Sequence, residues 1–249
     1  MGNSFTFNAT DLSDYELVVT SSRPNVLGQI VPFIQLKDRG YGSGIKREPR
    51  PISIDIDVKG TSRADLDSNL DNIKRIITTE IDQQLIFDIL LGRYFMARLT
   101  DFDGQYKAAT LYSGSIDFIC VDPLGYSITQ TESNHPLTGS DPKTVTETVT
   151  GTGMVNPVYT LTAGANLGAI TVKLENVTTD EELQWTGSLG DGHYLTIDVP
   201  NWIVKLNGSA SMSGISGQFP RLQPGANSIK VTAMAVTGVM GIIYKNNYL

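Results

Sequence analysis

The side chains able to do chemistry are few and scattered. In ISIDIDV, Asp55 and Asp57 stand two residues apart. Carboxylates at that spacing leave one face of a strand and can divide acid–base work or hold a hard cation. They also alternate with Ile52, Ile54, Ile56 and Val58, which makes them the solvent side of a half-buried strand. Asp101 and Asp103 precede Gly104 as in the start of a calcium loop. The further oxygen ligands and the closing glutamate are missing, so DFDG reads as a hairpin turn. The two imidazoles, His135 and His193, have no cysteine or second histidine at metal-ligand spacing. Cys120, the single cysteine, alternates with Ile116 and Phe118, so it points inward as an inert thiol and no intrachain disulfide can form. Neither GYGSG nor GTG fits a phosphate-binding loop, and no G-x-S-x-G occurs. No catalytic residue, metal site or cofactor is expected, and the chain does not read as an enzyme.

Two features remain as candidates for binding. In Lys37 to Pro51 the cations Lys37, Arg39, Lys46, Arg47 and Arg50 outnumber Asp38 and Glu48. Such a loop can dock an acidic neighbour through charge-assisted hydrogen bonds, the reading of a subunit or partner interface. The aromatic set Trp185, Tyr194 and Trp202 could stack on sugar rings. That supports an alternative function as a carbohydrate-binding module touching cell wall or exopolysaccharide.

These groups sit in a chain of 249 residues, 40% hydrophobic, with a formal charge of −7. It is long enough for one large domain or two ordinary ones, and its acidity opposes broad binding to nucleic acid or an anionic membrane. Residues 1–130 carry 13 Lys/Arg and 17 Asp/Glu, whereas the remainder has 6 and 9. Between them, Ser127 to Thr144 is rich in Ser, Thr, Pro and Gly without apolar periodicity, the composition of a linker. Two domains are therefore expected, 1–130 and 131–249, joined through about 127–144.

The first is expected to be β-rich with one helix. Leu66, Leu70, Ile73 and Ile77 recur at helical spacing after a possible cap at Thr61 or Ser62, and LIFDILL, RYFMARL and SIDFICV read as strands. The second contains only short β-prone runs between Gly, Asn, Asp and Pro clusters, the pattern of an antiparallel sandwich or jelly roll. Within it, GQFPRLQPGANSIKV (Gly217 to Val231) reads as a corner crossing between the two sheets.

Several phrases, in order, resemble the distal tail proteins of siphophages: RYFMARLTDF, SIDFICVDPLGYS, GTGMVNPVYTL, WTGSLGDGHYLTIDV, GQFPRLQPGANSIKV and GIIYKNNYL. The likeness runs from about Pro51 onward. It implies a structural virion protein at the distal end of the phage tail, made in the host cytoplasm. It implies a homo-hexameric ring with a galectin-like sandwich projecting outward. The implied partners are the tail tube protein, a tail-associated fibre or lysin-like protein, and baseplate or receptor-binding proteins, with DNA passing through without specific binding and no membrane. On this resemblance Lys37, Arg39, Lys46, Arg47 and Arg50 contact a neighbour, while Asp55 and Asp57 line the channel.

Overall fold

The alternation in residues 52–58 and the helical stripe that follows meet in one core. The computed structural model describes residues 4–22, 49–90, 92–138, 141–232 and 238–248. They form two compact units, the first up to Tyr126 and the second Ser127–Tyr248.

The first unit contains β1 (Phe5–Phe7), β2 (Thr10–Asp11), a short 3-10 turn (Leu12–Tyr15), β3 (Leu17–Ser22), β4 (Arg50–Lys59), α1 (Arg63–Ile77), β5 (Gln83–Phe87), β6 (Arg93–Ala108) and β7 (Leu111–Cys120). Its strands lie in the order β2-β1-β5-β6-β7-β4-β3, each pair antiparallel. Ser62 starts α1 by accepting the amide of Asp65 at 3.2 Å, and Asp65 in turn accepts the amide and hydroxyl of Thr61. These bonds satisfy donors that a helix start otherwise leaves open. Leu66, Leu70, Ile73 and Ile77 are buried in one cluster with Ile52, Ile54, Ile56, Val58 and the inward Cys120. The expected helix and strand thus share one interior.

The expected turn at DFDG is not there. Asp101 to Gly104 lie inside β6, a strand of 16 residues, and pair with β7 across a register shift between Leu99 and Asp101. Beyond Thr100 most of β6 is exposed, so it lacks the apolar alternation that betrays a strand whose one face is buried.

After β8 (Gly125–Ser127), the second unit contains β9 (Thr131–Pro136), β10 (Lys143–Val149), β11 (Val158–Ala163), β12 (Gly168–Asn176), β13 (Glu181–Leu189), β14 (Tyr194–Asp198), β15 (Ile203–Leu206), β16 (Ser209–Ala210), β17 (Ile215–Gly217), β18 (Gly225–Thr232), β19 (Gly238–Tyr244) and β20 (Asn247–Tyr248). A five-stranded sheet, β10-β18-β12-β13-β17, packs on a six-stranded one, β16-β15-β14-β11-β19-β9. Trp185, Tyr159, Leu161, Leu174, Ile229 and Ile242 belong to the core between them. The fold is mainly β, ending in a sandwich, as expected.

Two expectations need correction here. The segment read as a linker contains β9, which pairs with β19 along its whole length, and the start of β10. Its polar residues turn to a polar partner: Glu147, 6% exposed, accepts Ser133 Oγ at 2.7 Å and Tyr244 Oη at 3.0 Å, with His135 Nε2 3.1 Å away. A carboxylate satisfied in this way tolerates burial and ties an edge of one sheet to an edge of the other. The second correction concerns residues 217–231. They do not pass between sheets, since β17 and β18 belong to the same sheet with β13 and β12 between them. On the way Leu222 is buried and bridges Val155.

Candidate functional site

The long hairpin of β6 and β7 stands beside α1, and the space between is a groove of about 530 Å³. Its helical wall carries Asp67, Asp71 and Lys74. These positions each follow a buried stripe residue (Leu66, Leu70, Ile73) by one, so burial of the stripe places all three along its margin. The hairpin wall carries Phe102, Asp103, Tyr106 and Tyr112. Phe102 and Tyr112 stack with ring centres 6.0 Å apart, and Tyr106 meets Tyr112 edge-on at 5.4 Å.

Two glycines make room for these rings. Gly104 and Gly114 face each other across the hairpin. A Cβ on Gly104 would lie 2.6 Å from the Tyr112 hydroxyl, and one on Gly114 would lie 2.2 Å from the carbonyl oxygen of Asp103. Neither position admits a side chain without displacing the strand pair.

The groove is acidic and aromatic. Among the described residues its lining holds three carboxylates against one ammonium, that of Lys74, whose Nζ sits 5.3 Å from the centre of the Phe102 ring. At the helix start the Arg63 guanidinium lies 3.4 Å from the centre of Tyr106, while its Nε donates to Asp67 at 3.1 Å. Tyr106 Oη also donates to Asp67, at 2.8 Å. This bond first, and Arg63 second, hold the Asp67 carboxyl below the usual carboxylate range. The same bond raises the Tyr106 phenol, and burial followed by Asp103 raises that of Tyr112. Chemically this is a surface that takes cationic side chains on ring faces flanked by carboxylates.

The residues singled out in sequence do not assemble at one place. Lys37, Arg39, Lys46 and Arg47 lie outside the described residues. Arg50 departs from the reading of an exposed docking loop: it opens β4, is 7% exposed and places its guanidinium 5.6 Å from the Phe95 ring. It faces Cys120 in register, and burial raises that thiol to about 12, the state of an unreactive cysteine. Asp55 and Asp57 are half-buried on the face of β4 opposite the isoleucines, Asp57 accepting Ser113 Oγ at 2.6 Å. Asp55 pairs across the strand with Ser115.

The aromatic set is dispersed. Trp185 is 1% exposed and donates through Nε1 to Ser211 Oγ at 3.0 Å, so it is core and not a sugar platform. Trp202 is exposed, sits at φ 54° and meets the Phe219 ring edge-on at 5.4 Å. Tyr194 is exposed at the other end of the β14–β15 hairpin, beside Asn207. His193 closes a turn, its Nδ1 accepting the amide of Gly190 at 3.1 Å. Among the described residues no cluster of three or more His, Cys, Asp or Glu is placed to hold a metal.

Sequence reasoning missed the groove. Its signals were present in the margin positions 67, 71 and 74 and in the i, i+4 pair Arg63–Asp67, but the hairpin wall was hidden behind the supposed turn.

A β-rich unit with one helix, followed by a β-sandwich, defines an architecture with known relatives. Residues 150–248 match the family model for the siphovirus-type tail component, C-terminal domain. Over its whole length the chain is similar in fold to the SPP1 Dit (gp 19.1) protein, whose crystal structure is described as a paradigm of the hub adsorption apparatus in Gram-positive infecting phages. The identity is 18%, all of both chains is covered, and the TM-score is 0.74. The phage P2 baseplate in its activated conformation with Ca aligns at 11% identity over 99% of this chain and 98% of that one, with a TM-score of 0.42. No curated protein matches the sequence. The family match is confined to residues 150–248, and the likeness to the SPP1 Dit protein over the whole chain is one of fold.

Proposed function

We propose that this chain is a structural hub of a siphophage tail tip, a homo-hexameric ring joining the tail tube to the host-adsorption apparatus and acting through its surfaces rather than by catalysis. The observation that carries this reading is the fold likeness to the SPP1 Dit protein over all of both chains. The family match over the sandwich supports it. In a closed ring one surface of each copy meets a different surface of the next, and the tail tube, tail-associated and baseplate proteins dock on the remaining faces. The acidic face bearing Asp55 and Asp57 is assigned to the channel, where carboxylates repel passing phosphate instead of gripping it.

Light scattering on the purified protein tests this reading. A mass six times that of the 27.0 kDa chain is expected, and a monomer at every concentration would overturn it. The saccharide reading retains one specific observation, the exposed Trp202 at positive φ. Glycan binding abolished by Trp202→Ala would favour it.

A further inference from the structure

We propose that Trp202 and Asn201, in the turn between β14 and β15, form a saccharide site selective for an uncharged pyranose. The inference rests on the saccharide reading and adds to it a polar contact and a ligand class.

Trp202 is 59% exposed and sits at φ 54°, a backbone region that a bulky side chain enters only at a cost. The turn holds it there. Its N–H donates to the carbonyl of Val199 at 3.3 Å, and the Phe219 ring meets the indole at 72° with centres 5.4 Å apart. The ring is therefore fixed without being buried, the condition of a surface organised before its ligand arrives. An indole face is electron-rich and attracts the C–H-lined face of a sugar ring.

The preceding residue supplies the polar contact. Asn201 Nδ2 donates to both carboxylate oxygens of Asp198, at 2.9 and 3.0 Å, and its backbone N–H donates to one of them at 3.3 Å. Asp198 is 7% exposed and also accepts Lys205 Nζ at 3.2 Å. With its nitrogen held on the carboxylate, the amide turns its oxygen away from it. Asn201 is exposed, so Oδ1 is offered to a ligand hydroxyl beside the indole. Asp198 is thus a positioning residue for Asn201.

Charge and size select the ligand. Within residues 198–205 and 217–223 the charged residues are Asp198, Lys205 and Arg221. Lys205 pairs with Asp198, and Arg221 with Glu181. Both cations are neutralised, so an anionic polymer gains no counter-charge, whereas the hydroxyls of a neutral sugar find an acceptor. One indole and one amide match a sugar ring, while a stable protein interface takes about 800 Å² from each partner. Repeated on the copies of a ring, weak sites gain avidity.

The test titrates the full chain with chitotriose, maltotriose, lactose and rhamnose, and with trigalacturonic acid and glycerol phosphate as anionic probes. Saturation-transfer NMR measures affinity, and tryptophan emission reports on Trp202, since Trp185 is buried. At least one neutral probe should bind and shift the emission to the blue. Trp202→Ala and Asn201→Ala should each weaken binding by at least about tenfold, and the anionic probes should bind at least about tenfold more weakly. Loss in Trp202→Ala with full binding in Asn201→Ala, or preference for an anionic probe, overturns the inference and leaves the saccharide reading standing. No binding of any probe at about 50 mM, or release of a bound tail protein by Trp202→Ala without sugar affinity, overturns both. If Asn201→Ala lowers the melting temperature, Asn201→Gln, which keeps an amide but displaces it by one methylene, replaces it with the same loss expected.

Discussion

The guanidinium of Arg63 rests 3.4 Å from the centre of the Tyr106 ring while both residues bond the same carboxylate, Asp67. One triad thus fastens the first turn of α1 to the outer part of a long, largely exposed hairpin. Exposed ion pairs are individually weak, so the effect expected is local order in the hairpin rather than overall stability.

Replacing Tyr106 by Ala should therefore leave the global fold intact and speed amide exchange in residues 102–113. Tyr106→Phe keeps the ring under Arg63 and should give an intermediate rate. Hydrogen exchange read by mass spectrometry checks both, and unchanged rates in the alanine variant would show that the hairpin is held by the sheet alone.

Acid should release the same fastening. The folded Asp67 carboxyl is depressed, chiefly by the Tyr106 hydroxyl. A depressed carboxyl contributes above its unfolded value, about 3.9, and that contribution disappears as pH falls through the folded value. Hairpin protection should persist below pH 4 and then be lost. In Tyr106→Phe the Asp67 carboxyl resonance should titrate at higher pH than in wild type, and coincident titrations would exclude the phenol as the cause.

The two tryptophans should behave oppositely. Trp185→Ala removes the largest fully buried side chain and should cost about 3–5 kcal/mol. Trp202→Ala, at an exposed site, should fall within about 0.5 kcal/mol in stability. Urea denaturation distinguishes them, and a mild Trp185 variant would contradict its place in the core.

Asn227 is the hinge of the phrase QPGAN. Fully buried, it accepts the amide of Gln223 at 2.9 Å and Asn176 Nδ2 at 3.1 Å, and donates to the carbonyls of Gln223 and Gly225. Asn227→Ala leaves those groups without their partner, and a loss of about 1–3 kcal/mol is expected. Thermal unfolding measures it, and an unshifted midpoint would mean that water replaces the amide at no cost.

Where one side of an element is apolar, the sequence showed it: β4, α1 and most strands of the sandwich were legible from periodicity. Legibility failed where a strand's partners are polar or absent. In β9, Ser133 and His135 face the buried Glu147, so polar residues occupy positions that apolar ones would mark. In the outer half of β6 both faces meet solvent, and the Asp residues read as a turn. The groove depends on that hairpin and was lost with it. Trp185 and Trp202 were indistinguishable as letters, since only the sheet pairing decides which one lies inside.

The place of β19 has a consequence for how the molecule is made. It lies between β11 and β9, which leave the ribosome well before it, so β9 has no partner strand and β11 is paired on its β14 side alone until residues 238–244 have been translated. During that interval the nascent sandwich presents one open edge on β11 and an unpaired β9, the kind of strands that invite pairing between chains. Where many copies are made close together, the speed of completing this stretch would govern how much protein matures and how much aggregates.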